Sequence, residues 1–258
     1  MKQPFLNLRV DNLTATEALC ACVSALDGLR PRSLFFLNAH CFVLSQRHPS
    51  YHDALYRSDF VFNDGIGIKC VGLLNNIRFT DNLNGTDLIP KIIDAGVRDE
   101  RTFYFVGGAE GVTHEVRDRL VAQYGNIRIA GARSGYFTET EEAGIIRDIN
   151  SKNVDILIVG MGAPLQELWI EKIRPQLTTV RLCIAGGAIF DFMSGKFRRA
   201  PPVVRRANLE WAYRLYLEPG RLWKRYVYGA FALAYHVFRH WLPPEQPIGY
   251  AGKHILNA

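Results

Sequence analysis

The sequence predicts an α/β fold: a mostly parallel, Rossmann-like sheet flanked by helices, with a basic helical appendage at its C-terminal end. Two observations predict the body. Short apolar β-type runs alternate with helix-type runs up to about residue 195, as parallel strands joined by helical crossovers require. Glycine-rich or Asn/Asp turns follow many of those strands, where a chain must reverse from strand into helix. A third observation predicts the appendage. Beyond Ala200-Pro201-Pro202 strand signals vanish, and Arg, Trp and Tyr interleave with Leu. Residues 1–195 are therefore read as the body, and residues 196–258 as the appendage and tail.

Element by element, Thr14-Ala15-Thr16-Glu17 reads as a capping box opening a helix that Gly28 should end, because Ser/Thr and Glu three apart satisfy each other's orphan N–H groups. Ser33–Leu37 is an apolar strand followed by a helix from Ala39. Phe60–Phe62 is a short strand leading through Asp64-Gly65-Ile66-Gly67 into a further apolar helix. Thr102–Val106, Ile127–Ala130, Val154–Val159 and Leu182–Ala185 are strands; Val112–Gln123, Glu139–Asn150 and Pro164–Ile173 have helical composition. Pro164 suits a first helical turn, where its missing N–H costs nothing. Two or three helices should follow residue 200, broken at Pro219-Gly220, and Pro243-Pro244 with Pro247 mark an extended tail.

The chain has 258 residues, with 48% hydrophobic and 22% charged. That is ordinary globular usage, enough for a core without disulfides or a metal. Five scattered cysteines fit no zinc spacing and indicate a reducing compartment. The N-terminus lacks the apolar stretch of a secretion signal. The uncharged stretch Tyr226–Phe238 has 13 residues, too few to span a bilayer. Net charge is +6, but Lys196–Arg239 carries +8 and the remainder −2. Such asymmetry suggests an anionic partner for the basic end: a membrane surface, a nucleic acid or a phosphorylated substrate. A solvated face is the plain alternative.

In parallel α/β sheets ligands bind beyond the carboxyl ends of the strands. The residues that follow strands here include Asn38, Asp64, Gly107, Gly160, Gln166 and Gly187. The glycine turns permit close approach of a phosphate to backbone, or are simply tight turns. Neither a G-x-G-x-x-G dinucleotide register nor a G-x-x-x-x-G-K-[ST] loop occurs, so a nucleotide-dependent oxidoreductase is disfavoured. Asp64 is placed to act as a general base or to cap a helix. His48 and His52 are four apart, but Pro49 disfavours the continuous helix that would align them on a metal. No Asp-x-Asp pair occurs, so no metal is assigned, and no cofactor. Tyr136, after Gly135, could stack on a base or simply pack.

Read together, these stretches resemble the WecG/TagA/CpsF family of bacterial glycosyltransferases. The blocks are Leu37-Asn38-Ala39, Ala54–Gly67, Asn84–Leu88, Phe105–Gly108, Gly135-Tyr136-Phe137, Gly160–Glu167, Phe190–Pro201 and Leu209–Leu215, continuing through Glu218-Pro219 and Arg221 to Lys224-Arg225-Tyr226. The resemblance implies inverting transfer of a sugar from a UDP-sugar to an undecaprenyl-diphosphate-linked saccharide, at the inner face of the cell membrane. The sugar would be N-acetylmannosamine, its uronic acid or a hexose such as glucose. It places the base on Asp64, donor contacts on Asn38 and Gln166, nucleoside neighbours at Tyr136 and Asp191, and diphosphate contacts on Arg214, Arg221 and Arg225. It also implies a cytoplasmic, peripheral enzyme that needs no nucleic acid and could self-associate. Two positions depart from the family pattern: Phe36 stands where Thr is frequent, and Asn82 where Arg is usual. The competing reading is a nonenzymatic membrane-docked or nucleic-acid-binding protein that uses the basic end alone.

Overall fold

The computed structural model describes residues 2–197, 199–201, 203–204, 209–217 and 219–241. The predicted α/β class is what it shows. The eight strands are β1 (Lys2–Phe5), β2 (Leu8–Asp11), β3 (Arg32–Leu37), β4 (Phe60–Asn63), β5 (Thr102–Gly107), β6 (Arg128–Arg133), β7 (Ile156–Gly160) and β8 (Leu182–Ala185). They form one sheet in the order β1-β2-β4-β3-β8-β7-β5-β6, parallel throughout except for the β1–β2 hairpin.

The body helices are α1 (Ala15–Ala25), α2 (Ala39–Arg47), α3 (Pro49–Arg57), α4 (Ile66–Leu74), α5 (Gly85–Arg98), α6 (Val112–Tyr124), α7 (Glu139–Ser151), α8 (Leu165–Ile173) and α9 (Ile189–Met193). Toward the C-terminal end, α10 (Glu210–Leu217) and α11 (Pro219–Trp241) follow. The tail prolines lie outside the described residues.

Strand side chains alternate between two cores. Phe35, Leu37, Tyr104, Val106, Leu157, Val159 and Cys183 face one core with α2, α3, α7 and α8. Leu34, Phe36, Phe103, Phe105, Ile156, Ile158 and Ile184 face the other with α1, α5, α6 and α9. With both faces covered, the central strands are continuous apolar runs, as parallel strands must be.

Several local expectations need correction. The capping box holds, with Thr14 N donating to Glu17 Oε2 at 2.8 Å and Glu17 N to Thr14 Oγ1 at 3.2 Å. Helix α1 nonetheless ends at Ala25, short of Gly28. Pro164 is the N-cap of α8 rather than its first helical residue. The β1–β2 hairpin and helices α3 and α5 were not anticipated. Helix α5 contains Pro90, which has no N–H to give the Thr86 carbonyl one turn earlier. Arg199 Nη1 lies 3.4 Å from that carbonyl and 2.7 Å from Asp87 Oδ1, while its Nη2 reaches Glu210 Oε2 at 3.5 Å. One guanidinium thus ties α5 to α10.

Helix α11 packs along α2. Val237 is buried in the same core as α2, with Leu233 beside it, and Trp241 Nε1 donates to Asn75 Oδ1 at 3.0 Å, just past α4. Trp223, Tyr228, Phe231, Tyr235 and Phe238 are exposed. Among the described residues no helix is long and apolar enough to cross a membrane.

Candidate active site

Read along its carboxyl edge, the sheet presents the predicted residues in spatial order. Asp64 follows β4, Asn38 follows β3, Gly187 follows β8, Gly160 ends β7, Gly107 ends β5, and Tyr136 lies beyond β6. Adjacent strands are ~4.8 Å apart, so β4 and β7 are separated by about 14 Å.

The Asp64 backbone is locked to the neighbouring strand, its N–H donating to Leu37 O at 2.9 Å. The capping alternative does not describe it. The N-cap of α4 is Gly65, whose φ of 89° is open to glycine, with no side-chain cap. Asp64 is half-buried, and its charge is felt at Cys41 in the first turn of α2. There it adds to the upward shift of the Cys41 thiol, which burial foremost, then Glu167, push to about 12. Asn38 caps α2, its Oδ1 accepting from Cys41 N at 3.0 Å.

The loop after Asp64 is braced from a second side. Gly65 N donates to Asn82 Oδ1 at 2.7 Å, Asn63 Nδ2 donates to Asp81 O at 2.9 Å, and Leu83 N donates to Asn63 O at 3.0 Å. Asn82, one of the two departures, therefore holds the backbone next to Asp64. Phe36, the other, packs its ring on Gly85; a Cβ there would come within 3.2 Å of it.

Gly107, Gly160 and Gly187 form a crest of bare backbone. A Cβ on Gly107 would lie 2.4 Å from Gly160 O, and one on Gly160 would lie 2.7 Å from Phe190 Cδ2 and 2.8 Å from Gly187 O. Many N–H groups of these turns are already engaged. Gly108 N donates to Gly160 O at 2.9 Å, Gly135 N to Gly108 O at 3.1 Å and Gly186 N to Val159 O at 2.7 Å. The glycines thus bring three strand ends together with no side chain between them.

Gln166 is 4% exposed and lies under this crest. Its Oε1 accepts from Gly162 N at 3.2 Å and Gly187 N at 2.9 Å, and its Nε2 donates to Glu167 Oε1 at 2.8 Å. Glu167 is 1% exposed, and burial pushes its carboxyl up to about 7. Sequence reasoning gave Glu167 no role. The helical spacing of Gln166, Trp169, Ile170 and Ile173, all buried on α8, was the signal that this turn faces inward. Asp191 lies on α9, 3.4 Å from Lys196 Nζ. Tyr136 is 84% exposed at the rim, its N–H donating to Ser134 Oγ at 3.1 Å. The side chains of Arg214, Arg221 and Arg225 lie outside the described residues. Among the described residues, no cluster of His, Cys, Asp and Glu is arranged to hold a metal ion.

A family model described as the glycosyl transferase WecG/TagA/CpsF family matches residues 3–247. The chain belongs to this family. Among relatives, this glycosyltransferase is 34% identical over 175 residues to an N-acetylglucosaminyldiphosphoundecaprenol N-acetyl-beta-D-mannosaminyltransferase of Bacillus subtilis (strain 168), covering 68% of this chain and 67% of the relative. It is 33% identical over 184 residues to the protein of the same name from Bacillus spizizenii (strain ATCC 23059 / NRRL B-14472 / W23), covering 70% and 69%. The matched family spans both the body and the basic end of the glycosyltransferase, so the basic end belongs with an enzyme and the reading without catalysis loses its ground.

Proposed function

We propose that this glycosyltransferase moves a sugar from a UDP-sugar to an undecaprenyl-diphosphate-linked saccharide, with inversion at the anomeric carbon. The observation that carries the reading is the carboxyl edge. A half-buried carboxylate, Asp64, stands one strand spacing from Asn38, and a side-chain-free crest adjoins it across β8, β7 and β5. Asp64 takes the proton of the acceptor hydroxyl. That oxygen bonds to the anomeric carbon as the bond to the diphosphate breaks, and UDP departs with the electron pair. Guanidinium groups of Arg214, Arg221 and Arg225 meet the charge on the departing diphosphate, and Asp191 and Tyr136 flank the nucleoside.

The names of the relatives favour N-acetylmannosamine as the sugar and a diphosphoundecaprenol-linked N-acetylglucosamine as the acceptor. Phe36 and Asn82 are the positions at which this chain would be retuned toward the uronic acid or a plain hexose. The acceptor brings the enzyme to an anionic leaflet, where the appendage docks it peripherally on the cytoplasmic face. Basic residues near such a surface contribute ~1 kcal/mol each, and exposed Trp and Tyr on α10 and α11 favour the interface.

A melting-temperature screen across UDP-sugars, followed by turnover with lipid-linked acceptor, tests the reading. Stabilisation by UDP and one UDP-sugar, with acceptor-dependent UDP release, is expected. Absence of any UDP-dependent shift, together with salt-sensitive RNA binding, would overturn it.

A further inference from the structure

Gln166 Oε1 bridges two backbone donors that belong to different turns, Gly162 after β7 and Gly187 after β8. The oxygen is assigned by its partners: a flipped amide would point NH₂ at two N–H groups. The other end of the amide is held as well, where Nε2 donates to Glu167 Oε1 at 2.8 Å. Glu167 is buried, and its Oε2 has no hydrogen-bond partner. Keeping an ionisable group at such a place costs stability that an apolar residue would not, so its presence points to a role other than stability. Among the described residues no cation acts on it to offset that cost. The neighbouring titratable groups are the buried Cys41 of α2 and Tyr51 of α3, each of which feels the Glu167 charge as unfavourable.

We propose that Glu167 is a positioning residue: as the fixed acceptor for the Gln166 amide, it holds the Gly162 and Gly187 turns together as one floor for the donor. The proposal rests on the reading of this edge as a UDP-sugar site. Two adjacent side chains on the first turn of α8 then do separate jobs. Gln166 clamps the turns, and Glu167 sets the direction of the clamp.

The test compares Glu167→Gln, which keeps an acceptor oxygen at the same reach, with Glu167→Leu, which fills the space without one. The first readout needs no ligand: amide hydrogen exchange at Gly162 and Gly187 in the full chain. Protection should persist in Glu167→Gln and fall by roughly ten- to hundredfold in Glu167→Leu, the range of one hydrogen bond to an ionisable partner. The second is UDP affinity and, with acceptor, the KM for the UDP-sugar. KM should rise in Glu167→Leu more than kcat falls, with Glu167→Gln close to wild type. Melting temperatures check that both variants fold. Unchanged exchange in a folded Glu167→Leu overturns the proposal, and so does equal loss in both variants. A wild-type chain that binds no UDP refutes the donor site instead, while the exchange data still decide what Glu167 does.

Discussion

Replacing Gly107 by alanine puts the packing of the glycine crest to a quantitative test. The added Cβ would lie 2.4 Å from Gly160 O, 2.6 Å from its carbonyl carbon and 2.7 Å from its Cα. All three are backbone atoms of a strand paired to β5, so no side chain can swing aside and the two strand ends must separate. Overpacking of this kind costs about 1–3 kcal/mol. Gly107 also has a φ of 153°, and holding a side chain in such a region costs a further ~1–3 kcal/mol. With ~2–4 °C per kcal/mol for a chain of this size, Gly107→Ala should melt roughly 4–24 °C below wild type. Gly144→Ala is the matched control. It lies within α7, and its new Cβ would meet nothing nearer than Arg147 Nη2 at 4.0 Å. There alanine should stabilise by ~0.5–1 kcal/mol. Thermal melts by circular dichroism, with urea titrations alongside, provide both numbers. If Gly107→Ala melts with wild type while Gly144→Ala rises, the close approach of β5 and β7 is not what demands glycine.

Asp64→Asn should lower kcat by ~10²–10⁴ while UDP still binds; retention of more than half of wild-type kcat would make Asp64 a backbone brace only. Turnover should survive excess EDTA, since no Asp-x-Asp pair is present to present a divalent ion; a loss that Mg²⁺ or Mn²⁺ restores would refute this. The triple variant Arg214, Arg221, Arg225→Gln should stay folded and lose activity and binding to anionic liposomes, and a normal turnover rate would remove these arginines from the site. It is a cleaner probe than truncation before Asn208, because removing α11 also uncovers the α2 surface that Val237 covers. Glu167→Gln should also change the pH dependence of stability. The folded carboxyl titrates near 7 against an ordinary 4.5, so the native state binds the extra proton in that window and wild-type stability falls as pH rises through it. The variant lacks that fall, and its advantage should grow to a few kcal/mol by pH 8 and vanish near pH 4, as urea titrations at the two pH values would show.

Much of the body was legible because buried parallel strands declare themselves. Ser33–Leu37, Thr102–Val106 and Leu182–Ala185 are apolar on both faces, and their ends moved by at most a residue. The β1–β2 hairpin was not legible, since Lys2, Gln3 and Pro4 lie at an edge and its turn rests on Leu6 at a φ of 53°. Helix α5 was obscured by Pro90, whose cost is offset by Arg199 from 109 positions later. At the carboxyl edge of the sheet the sequence told positions rather than contacts. A glutamine after a glycine turn reads as ligand-facing. Its burial follows from Gly187 N, 21 residues away in sequence, and no local pattern encodes that.

The sheet order has a consequence for the birth of the protein. Strands β1–β4 come from residues 2–63 and β5–β8 from residues 102–185, and among the described residues the two sets pair only where β3 meets β8, at Arg32–Leu182, Ser33–Cys183 and Leu34–Ile184. Asp64 and Asn38 lie on one side of that seam and the glycine crest on the other. During synthesis β3 therefore waits with an open edge for a partner encoded 150 residues downstream. At roughly 5–20 residues per second that wait is about 8–30 s. For that time the nascent N-terminal half carries Asp64 and Asn38 without the glycine crest, and an unpaired apolar strand edge, the form most prone to wrong pairing. A chain cut between α5 and β5 should behave likewise: each piece is inert, and activity returns only as fast as β3 finds β8.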